Sequence, residues 1–527
     1  MVRFFTPLPI AFALLSGLAP IAVAQGLDAF AFTDRSDLVL LPDNTAARVA
    51  FTGESFSVSW GDVNGNGLPD LYLNHHHRWT PGARGFPDAH LILDPGAPGG
   101  PSGWQILDAW DQHGAAILDL NGDGWRDLVE AHGGNRGTAS IASRDHDMNR
   151  VFLGGPSGLA PDNSADALGL AHDMGRSYTV QPVNLSGRPG LIFGTLLRDD
   201  WRFPTTLYMR QDDGTWRPEP ARFRVGTTSG PLANIGHFRM AVPGFFDTDD
   251  HMDLAFIQST LSPHVTIFLG NTDGVFVTDG QDYRPTWFFD GVALDPTNSG
   301  VDDLWLSLSL HAPSPRHIDV YRCCGPNTES DTVLLSDQPA HATHGMTAGD
   351  FDNDMDLDLA ALERTDPGGW ALVIWENLGA GRFERRLVPG ATGQGEPNAI
   401  ARADFNRDGA LDLAIGDNGT DALDDPSYTL LAGDPGDNNW LQIDLRDPWS
   451  LDGLGARVRV HAGGIVQHRG QTGGTHWAAQ DHVRMHVGLG SSTVALIEVT
   501  WPDGSSSSHL ADANAIVTLD HPLLEDR

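Results

Sequence analysis

Four stretches of this sequence place oxygen-bearing side chains at the first, third, fifth and ninth positions of a short window. They are Asp62-Asn64-Asn66-Asp70, Asp119-Asn121-Asp123-Asp127, Asp350-Asp352-Asp354-Asp358 and Asp404-Asn406-Asp408-Asp412. A hard cation such as Ca²⁺ takes six to eight oxygens at close range, and a tight loop supplies them by turning alternate side chains inward. Gly67, Gly124 and Gly409 stand at the sixth position, where the backbone must turn sharply; the equivalent of Ala410 can add its carbonyl. Met355 occupies that sixth position in the third stretch, so its turn is expected to be strained or differently shaped. Ca²⁺ is the cofactor this pattern predicts.

One window imitates another motif. Asp119 to Glu130 fits the EF-hand expression, including an acid at the twelfth position. The twelfth residues of the other three are Leu73, Ala361 and Ile415, and the flanks, Val58-Ser-Trp60 and Asp70-Leu-Tyr-Leu73, alternate as strands do. An EF-hand is therefore rejected.

The same template recurs in weaker form. Pro182 to Gly190 keeps the turn residues without a carboxylate, Phe245 to Asp253 lacks only the first acid, and Asp295 to Asp303 keeps the first and last. The seven first positions, 62, 119, 182, 245, 295, 350 and 404, lie 50 to 63 residues apart, the length of one four-stranded unit with its loops. Each unit reads as strand, acidic loop, strand, connection, hairpin. The fold class expected is all-β: a seven-bladed β-propeller followed by a small antiparallel β domain. The last unit runs out near Tyr428 to Ala432, and an orphan strand, Ala29 to Thr33, precedes the first. The N-terminal strand is expected to complete the seventh blade and remove two sheet edges.

Residues 1–24 read as a secretory signal: Arg3, an apolar run through Leu18, then Ala22-Val-Ala24. The run is broken by Pro7, Pro9 and Pro20, a poor membrane anchor. The propeller is assigned to 25–436. From 437 to 523 the acidic loop is absent and Trp440–Leu445, Ala456–Val460 and Val494–Thr500 alternate.

The acidic loops and Phe-Leu-Gly hairpins resemble VCBS/FG-GAP repeats of integrin-like propellers. Asn438-Asn439-Trp440-Leu, Asp452-Gly-Leu-Gly-Ala-Arg457-Val, Val487-Gly-Leu-Gly490 and Val499-Thr-Trp501-Pro-Asp-Gly504 fall in the order of an ASPIC/UnbV domain. Together they resemble the cartilage acidic protein family, which implies a secreted, calcium-binding propeller with a C-terminal β domain. Departures are the three weaker loops, Met355, and Thr475-His-Trp477, where the family often carries a Gly/Ser-rich stretch.

Composition narrows the partners. A formal net charge of −36 over 527 residues repels nucleic acid and anionic membrane, and no segment is a candidate membrane span. All 33 basic residues are Arg, which excludes Schiff-base chemistry on Lys and phosphate loops that need Lys. Cys323 and Cys324 are adjacent and could pair as a vicinal disulfide, stay a thiol pair, or hold a soft metal. Export would place the protein outside the cell or in a periplasm.

In a propeller, residues just before each first strand and just after each second strand meet at the channel mouth opposite the acidic loops. The chain puts His113, His172, His237 and His344 on entry, with His75, His77, Arg78 and His132 on exit. His113-Gly and His344-Gly each precede an acidic loop by six residues, so they are expected at equivalent positions. These residues are candidates for a polar hydrogen-bonded rim, for a site holding an anionic or sugar-like ligand, or for His metal or acid–base chemistry. His-Glu-x-x-His, a nucleophile elbow and zinc-spaced Cys pairs are all missing from the sequence. The function expected is a ligand-binding or adhesion module for an extracellular protein, glycan or small anion rather than an enzyme. The alternative is a lyase, isomerase or cyclase acting through His and Arg at the mouth.

Overall fold

The computed structural model describes residues 30–39, 54–76, 89–107, 112–132, 149–171, 177–195, 204–225, 236–258, 264–278, 282–283, 288–308, 318–321, 343–365, 369–394, 397–417, 428–449 and 452–525. The signal sequence, His77, Arg78, His172, Cys323 and Cys324 lie outside the described residues.

The protein is built from strands. Among the described residues, seven antiparallel sheets follow one another along the chain, led by Glu54–Gly61, Gln112–Leu118, Ser177–Leu185, Met240–Gly244, Phe288–Leu294, Thr343–Gly349 and Pro397–Ala403. Each leading strand lies against the next, and Pro397–Ala403 lies against Glu54–Gly61, so the leading strands close a ring. That is the arrangement of a β-propeller, with the leading strands innermost. The first unit is complete, running Glu54–Gly61, Asp70–His76, Ala89–Leu93 and Gly103–Leu107 in sheet order.

Ring closure follows the sequence expectation. Phe32–Asp34 pairs antiparallel with Tyr428–Gly433, Phe32 opposite Gly433, and becomes the outer strand of the last sheet. The open edge that Tyr428–Gly433 would otherwise present is thereby covered. Burial is nearly complete where sheets face one another: Trp60 stacks on Phe405 across the closing seam at 6.0 Å, and both are shielded from solvent.

One expected loop is not a loop. Arg188 pairs with Leu185, leaving only Ser186 and Gly187 between the strands, with φ of 52° and 84°. Two residues at positive φ make the primed turn whose twist matches a hairpin. Without carboxylates to hold apart, the third unit's window collapses into a plain hairpin.

Residues after Gly433 form two further sheets. One joins Met485–Gly490, Asn439–Arg446 and Ala515–Asp520; the other orders Ile465–Gly470, Arg457–Ala462, Val494–Thr500 and Ser506–Asp512. Their facing sides bury Leu441, Ile443, Val458, Val460, Val487, Ile497, Val499 and Trp501 as one apolar core. This region is not simply set beside the ring. Its short hairpin, Thr475–His476 and Ala479–Gln480, enters the ring's centre, where Ala479 and Gln480 pair in parallel with Val58 and Ser59.

The hairpin meets every unit. Beyond the pairing with Ser59, Gln480 bonds both backbone groups of Ile117, and Thr475 donates to Gln181. Trp477 lies beside Arg239, His476 pairs with Asp290, and Asp481 accepts from Thr347 and from the amide of Arg402. The centre of the ring is filled by the chain's own C-terminal region. Thr475-His-Trp477, a departure from the family in sequence, is the tip of that insert.

Candidate metal centres and channel mouth

The acidic windows fold as successive Asx turns. At the first position Asp404 accepts the amides of Asp408 and Gly409 at 3.1 and 2.9 Å. Asp62 and Asp350 do the same within their own loops, while Asp119 accepts the amides of Gly122 and Gly124, at the fourth and sixth positions. Asn64, Asn121 and Asn406 at the third position, and Asn66, Asp123, Asp354 and Asp408 at the fifth, each accept the amide two residues on. The ninth-position acid is a clamp between strands. Asp412 accepts the amide of Phe405 on one oxygen and that of Gly433 on the other, and Asp70, Asp127, Asp253 and Asp358 repeat this pair.

Met355 adopts the shape that glycine adopts elsewhere. Its amide reaches Asp350 at 2.9 Å and its φ is +87°, a conformation costly for a side chain with a Cβ. The turn is strained, not reshaped.

Burial concentrates negative charge. Desolvation pushes the carboxyl of Asp70 up to about 8, those of Asp127 and Asp352 to about 7 and that of Asp404 to about 6. Asp350, Asp358, Asp412 and Asp253 are driven well above the ordinary range by burial, reinforced by neighbouring acids. Two sets bring three carboxylates within 4.8 Å of one another: Asp350, Asp352, Asp358 and Asp247, Asp249, Asp253. The second belongs to a window that sequence reading counted as weaker. No other set of three is this close among the described residues. Buried, mutually repelling, all-oxygen donor sets suit a hard divalent cation.

Glu130 settles the EF-hand question. It turns away from the loop, accepting from Gln112 at 2.8 Å and from the hydroxyl of Tyr72 in the neighbouring unit. His132 completes that buried cluster at 3.4 Å from Glu130.

The acidic face is covered by the C-terminal region, which meets the turn of each unit. Arg484 donates to the carbonyl of Gly67, and Arg126 makes a bidentate pair with Asp452. Trp449 lies against Gly187 and Phe245 against Gly470, with Arg457 4.4 Å above the Phe245 ring. Arg457 donates to the carbonyl of Gly300, and Arg469 to Asn298 at 3.2 Å. The amide of Gly488 reaches Asp350 at 3.1 Å, and Gln442 donates to Asp404. Spacing gave no sign of these residues, because their partners lie up to 417 positions away.

At the other end of the ring, two expected equivalents prove equivalent. His113 and His344 both sit at a β-bulge near the start of a leading strand. The Nδ1 of His113 faces the carbonyl of Ser177 at 2.8 Å, and that of His344 faces Pro397 at 3.1 Å. A carbonyl only accepts, so Nδ1 carries the proton in both, and each imidazole staples its unit to the next. His237 is half-buried, 3.3 Å from the hydroxyl of Thr195. His75 lies in the strand Asp70–His76. His113, His237 and His344 thus each make a bond of their own among the described residues.

A column of rings begins at His113. His113 stacks on Tyr178 at 4.1 Å, Tyr178 lies 6.2 Å from Trp477, and the Arg239 guanidinium sits 3.3 Å over the Trp477 ring. Burial lowers Arg239 to about 10, so it remains a cation at neutral pH. Trp477 has φ of +35°, an unusual value for a bulky residue.

Comparison with known proteins finds similarity in two segments. The FG-GAP-like repeat model matches residues 350–415 and the ASPIC and UnbV model matches 449–523, so the chain carries a stretch similar to FG-GAP-like repeats followed by a region similar to ASPIC and UnbV. Its similarity runs to cartilage acidic protein 1. The Xenopus tropicalis protein is 28% identical over 499 residues, 90% of this chain and 66% of that protein. The mouse and human proteins are each 28% identical over 34% of this chain, covering 29% and 28% of their own lengths. The chain thus spans just under two thirds of the Xenopus relative and under a third of the other two in the matched segments. Among solved structures, a luciferin-regenerating enzyme covers 73% of this chain and 94% of its own, at 10% identity and a TM-score of 0.34.

Proposed function

We propose that the chain is a secreted, Ca²⁺-stabilised, seven-bladed propeller (25–436, after a signal at 1–24) whose C-terminal domain (437–523) caps and plugs it. We read it as a ligand-binding or adhesion module. Asp62, Asn64, Asn66 and Asp70, and the corresponding residues of the loops at 119, 350 and 404, would hold the cation. The set Asp247, Asp249 and Asp253 is added to them. Bound Ca²⁺ supplies positive charge that offsets carboxylate repulsion, and affinities on the order of 10⁻⁴–10⁻³ M suffice outside a cell.

One observation carries this reading. The acidic face is taken by the C-terminal domain at every unit, so its cations serve the fold, and recognition falls to the opposite mouth. There the buried rings of Tyr178 and Trp477 brace the half-buried Arg239, a fixed cation of the kind that holds an anionic sugar or a small anion. Calorimetric titration of the metal-free protein with Ca²⁺ tests the first half; absence of heat at millimolar Ca²⁺ sinks it. Binding of uronate or sulfated oligosaccharides, lost in Arg239→Gln, tests the second. Binding unaffected by that substitution would move recognition elsewhere.

A further inference from the structure

Between the loops of the sixth and seventh units, hydrogen bonds run in a closed circuit through the C-terminal domain. Gln442 donates through Nε2 to Asp404, and the same nitrogen lies 3.4 Å from Nδ1 of His486. Nε2 of His486 is 2.7 Å from Oδ1 of Asn353, and Asn353 donates through Nδ2 to the carbonyl of Gly409 at 3.0 Å. Gly409 lies back in the loop that Asp404 begins. Gln442 and Asn353 are 1% exposed and His486 7%, so water does not compete for these bonds.

The direction of the circuit is set by its ends. The Gly409 carbonyl only accepts, which fixes the Asn353 amide with its oxygen toward His486. That oxygen in turn requires the proton on Nε2 of His486, leaving Nδ1 to accept from Gln442. No member can turn over without breaking another's bond. The domain also grips the sixth loop directly: the amide of Gly488 bonds Asp350, and that of Gly490 bonds the Asn353 carbonyl at 2.9 Å. Asn353 stands between Asp352 and Asp354, at the third and fifth positions of its loop. The amide oxygen of Gln442 is buried with no hydrogen-bond partner, an unspent acceptor held beside Asp404.

We propose that His486 and Gln442 of the C-terminal domain are positioning residues that join the cation loops 350–358 and 404–412 into one coupled pair. Filling either loop fixes its end of the circuit and pre-sets the other, so the two cations bind with positive cooperativity. This rests on the reading that both loops hold Ca²⁺. Loops 62–70 and 119–127 meet through Arg126, whose guanidinium lies 3.9 Å from the Asp62 carboxylate, and not through a circuit of this kind among the described residues.

Terbium, a Ca²⁺ mimic excited through tryptophan, tests this. The Trp440 indole lies against Gly409, where a Cβ would stand 1.8 Å from its Nε1, so the emission lost in Trp440→Phe belongs to loop 404–412. Weakening the neighbouring loop with Asp354→Asn is expected to lower the Tb³⁺ affinity of loop 404–412 by about fivefold or more, the lower end of ordinary coupling. In a His486→Ala background that effect disappears, and His486→Gln, which keeps a donor toward Asn353, restores it. Unchanged affinity in Asp354→Asn overturns the coupling and leaves the calcium reading standing; no Trp440-dependent emission in the wild type overturns both. Should the variants fail to fold, hydrogen exchange on the wild type decides: amides of 350–358 and 404–412 are expected to gain protection at one common Ca²⁺ midpoint, and separate midpoints overturn the proposal.

Discussion

His476→Gln is the most informative single perturbation of the plug. The imidazole is 5% exposed, with Asp290 at 3.4 Å from Nδ1 and Asp481 at 3.6 Å from Nε2. Burial alone would lower its pKa, but Asp290 and Asp481 outweigh burial and raise it to about 10. A rise from 6.5 to about 10 sets a ceiling of roughly 5 kcal/mol on the charged form's contribution. The substitution leaves Asp481 its bonds to Thr347 and Arg402 and leaves Asp290 the amides of Gly291 and Met346. Part of the ceiling is therefore retained, and the expected loss at pH 6 is about 3 kcal/mol, the low end for breaking a buried pair.

The pH dependence separates this charge from mere packing. A folded-state pKa raised above the unfolded value contributes stability in full below about 6.5, and that contribution is lost as pH rises through about 10. Each pH unit in between removes about 1.4 kcal/mol. The difference between wild type and His476→Gln in denaturant midpoints should therefore shrink by about 2.7 kcal/mol from pH 7 to pH 9, with Ca²⁺ saturating. A large difference that stays flat across that range would show the residue is only filling space. A difference under about 1 kcal/mol at pH 6 would mean the plug does not hold the ring as argued.

Further outcomes follow from the loops and the plug. Excess EGTA should lower Tm, since cation binding to the folded state alone stabilises it by mass action; an unchanged midpoint removes calcium from the fold. Asp404→Ala deletes the acceptor for Asp408, Gly409 and Gln442 and should cost about 2–4 kcal/mol by calcium-saturated denaturation, with Asp119→Ala similar, whereas Asn184→Ala loses one turn bond to Gly187 and should cost about 1 kcal/mol. Deleting residues 25–34 should abolish cooperative melting by stripping Phe32–Asp34 from Tyr428–Gly433. Truncation after Gly436 should do likewise, because it empties the ring's centre; a native-like circular dichroism melt of that fragment would show that the blades close without their plug.

Much of the fold was written locally. The window beginning at Asp404 or Asp62 announces itself in nine residues, and its recurrence gives the units and their order. His113-Gly and His344-Gly could be paired because both precede a loop by the same count, and the structure gives them the same bulge and the same bond to the next unit. The plug could not be read this way. Thr475-His-Trp477 has no period and no turn signature, and its partners Gln181, Arg239 and Asp290 are brought to one place only by closing the ring. A reading by local spacing therefore yields a separate end domain where the molecule has an interpenetrating one. The same limit hid the circuit of Gln442 and His486, whose bonds span 38 and 133 positions.

The departures from the loop template have a physical logic once the cap is in place. Phe245 stands where a first-position Asp is expected, and its ring fills the space at Gly470 under the Arg457 guanidinium. Met355 stands where Gly is expected, and its methyl lies close to Gly463 and Gly490, where added Cβ atoms would meet it at 3.1 and 2.9 Å. Both residues give up a favourable loop position for an apolar knob into a glycine-lined surface of the opposing sheets. The fifth loop loses acids but gains guanidinium groups, with Arg469 at Asn298 and Arg457 at Gly300. Positive charge that a cation would bring is there supplied by the chain itself, and a fixed Arg is not removed by a chelator. Calcium dependence should accordingly be uneven round the ring: strong at the loop of Asp404, weak at the fifth loop where Arg457 stands, and intermediate at Asp350, which Arg469 also faces.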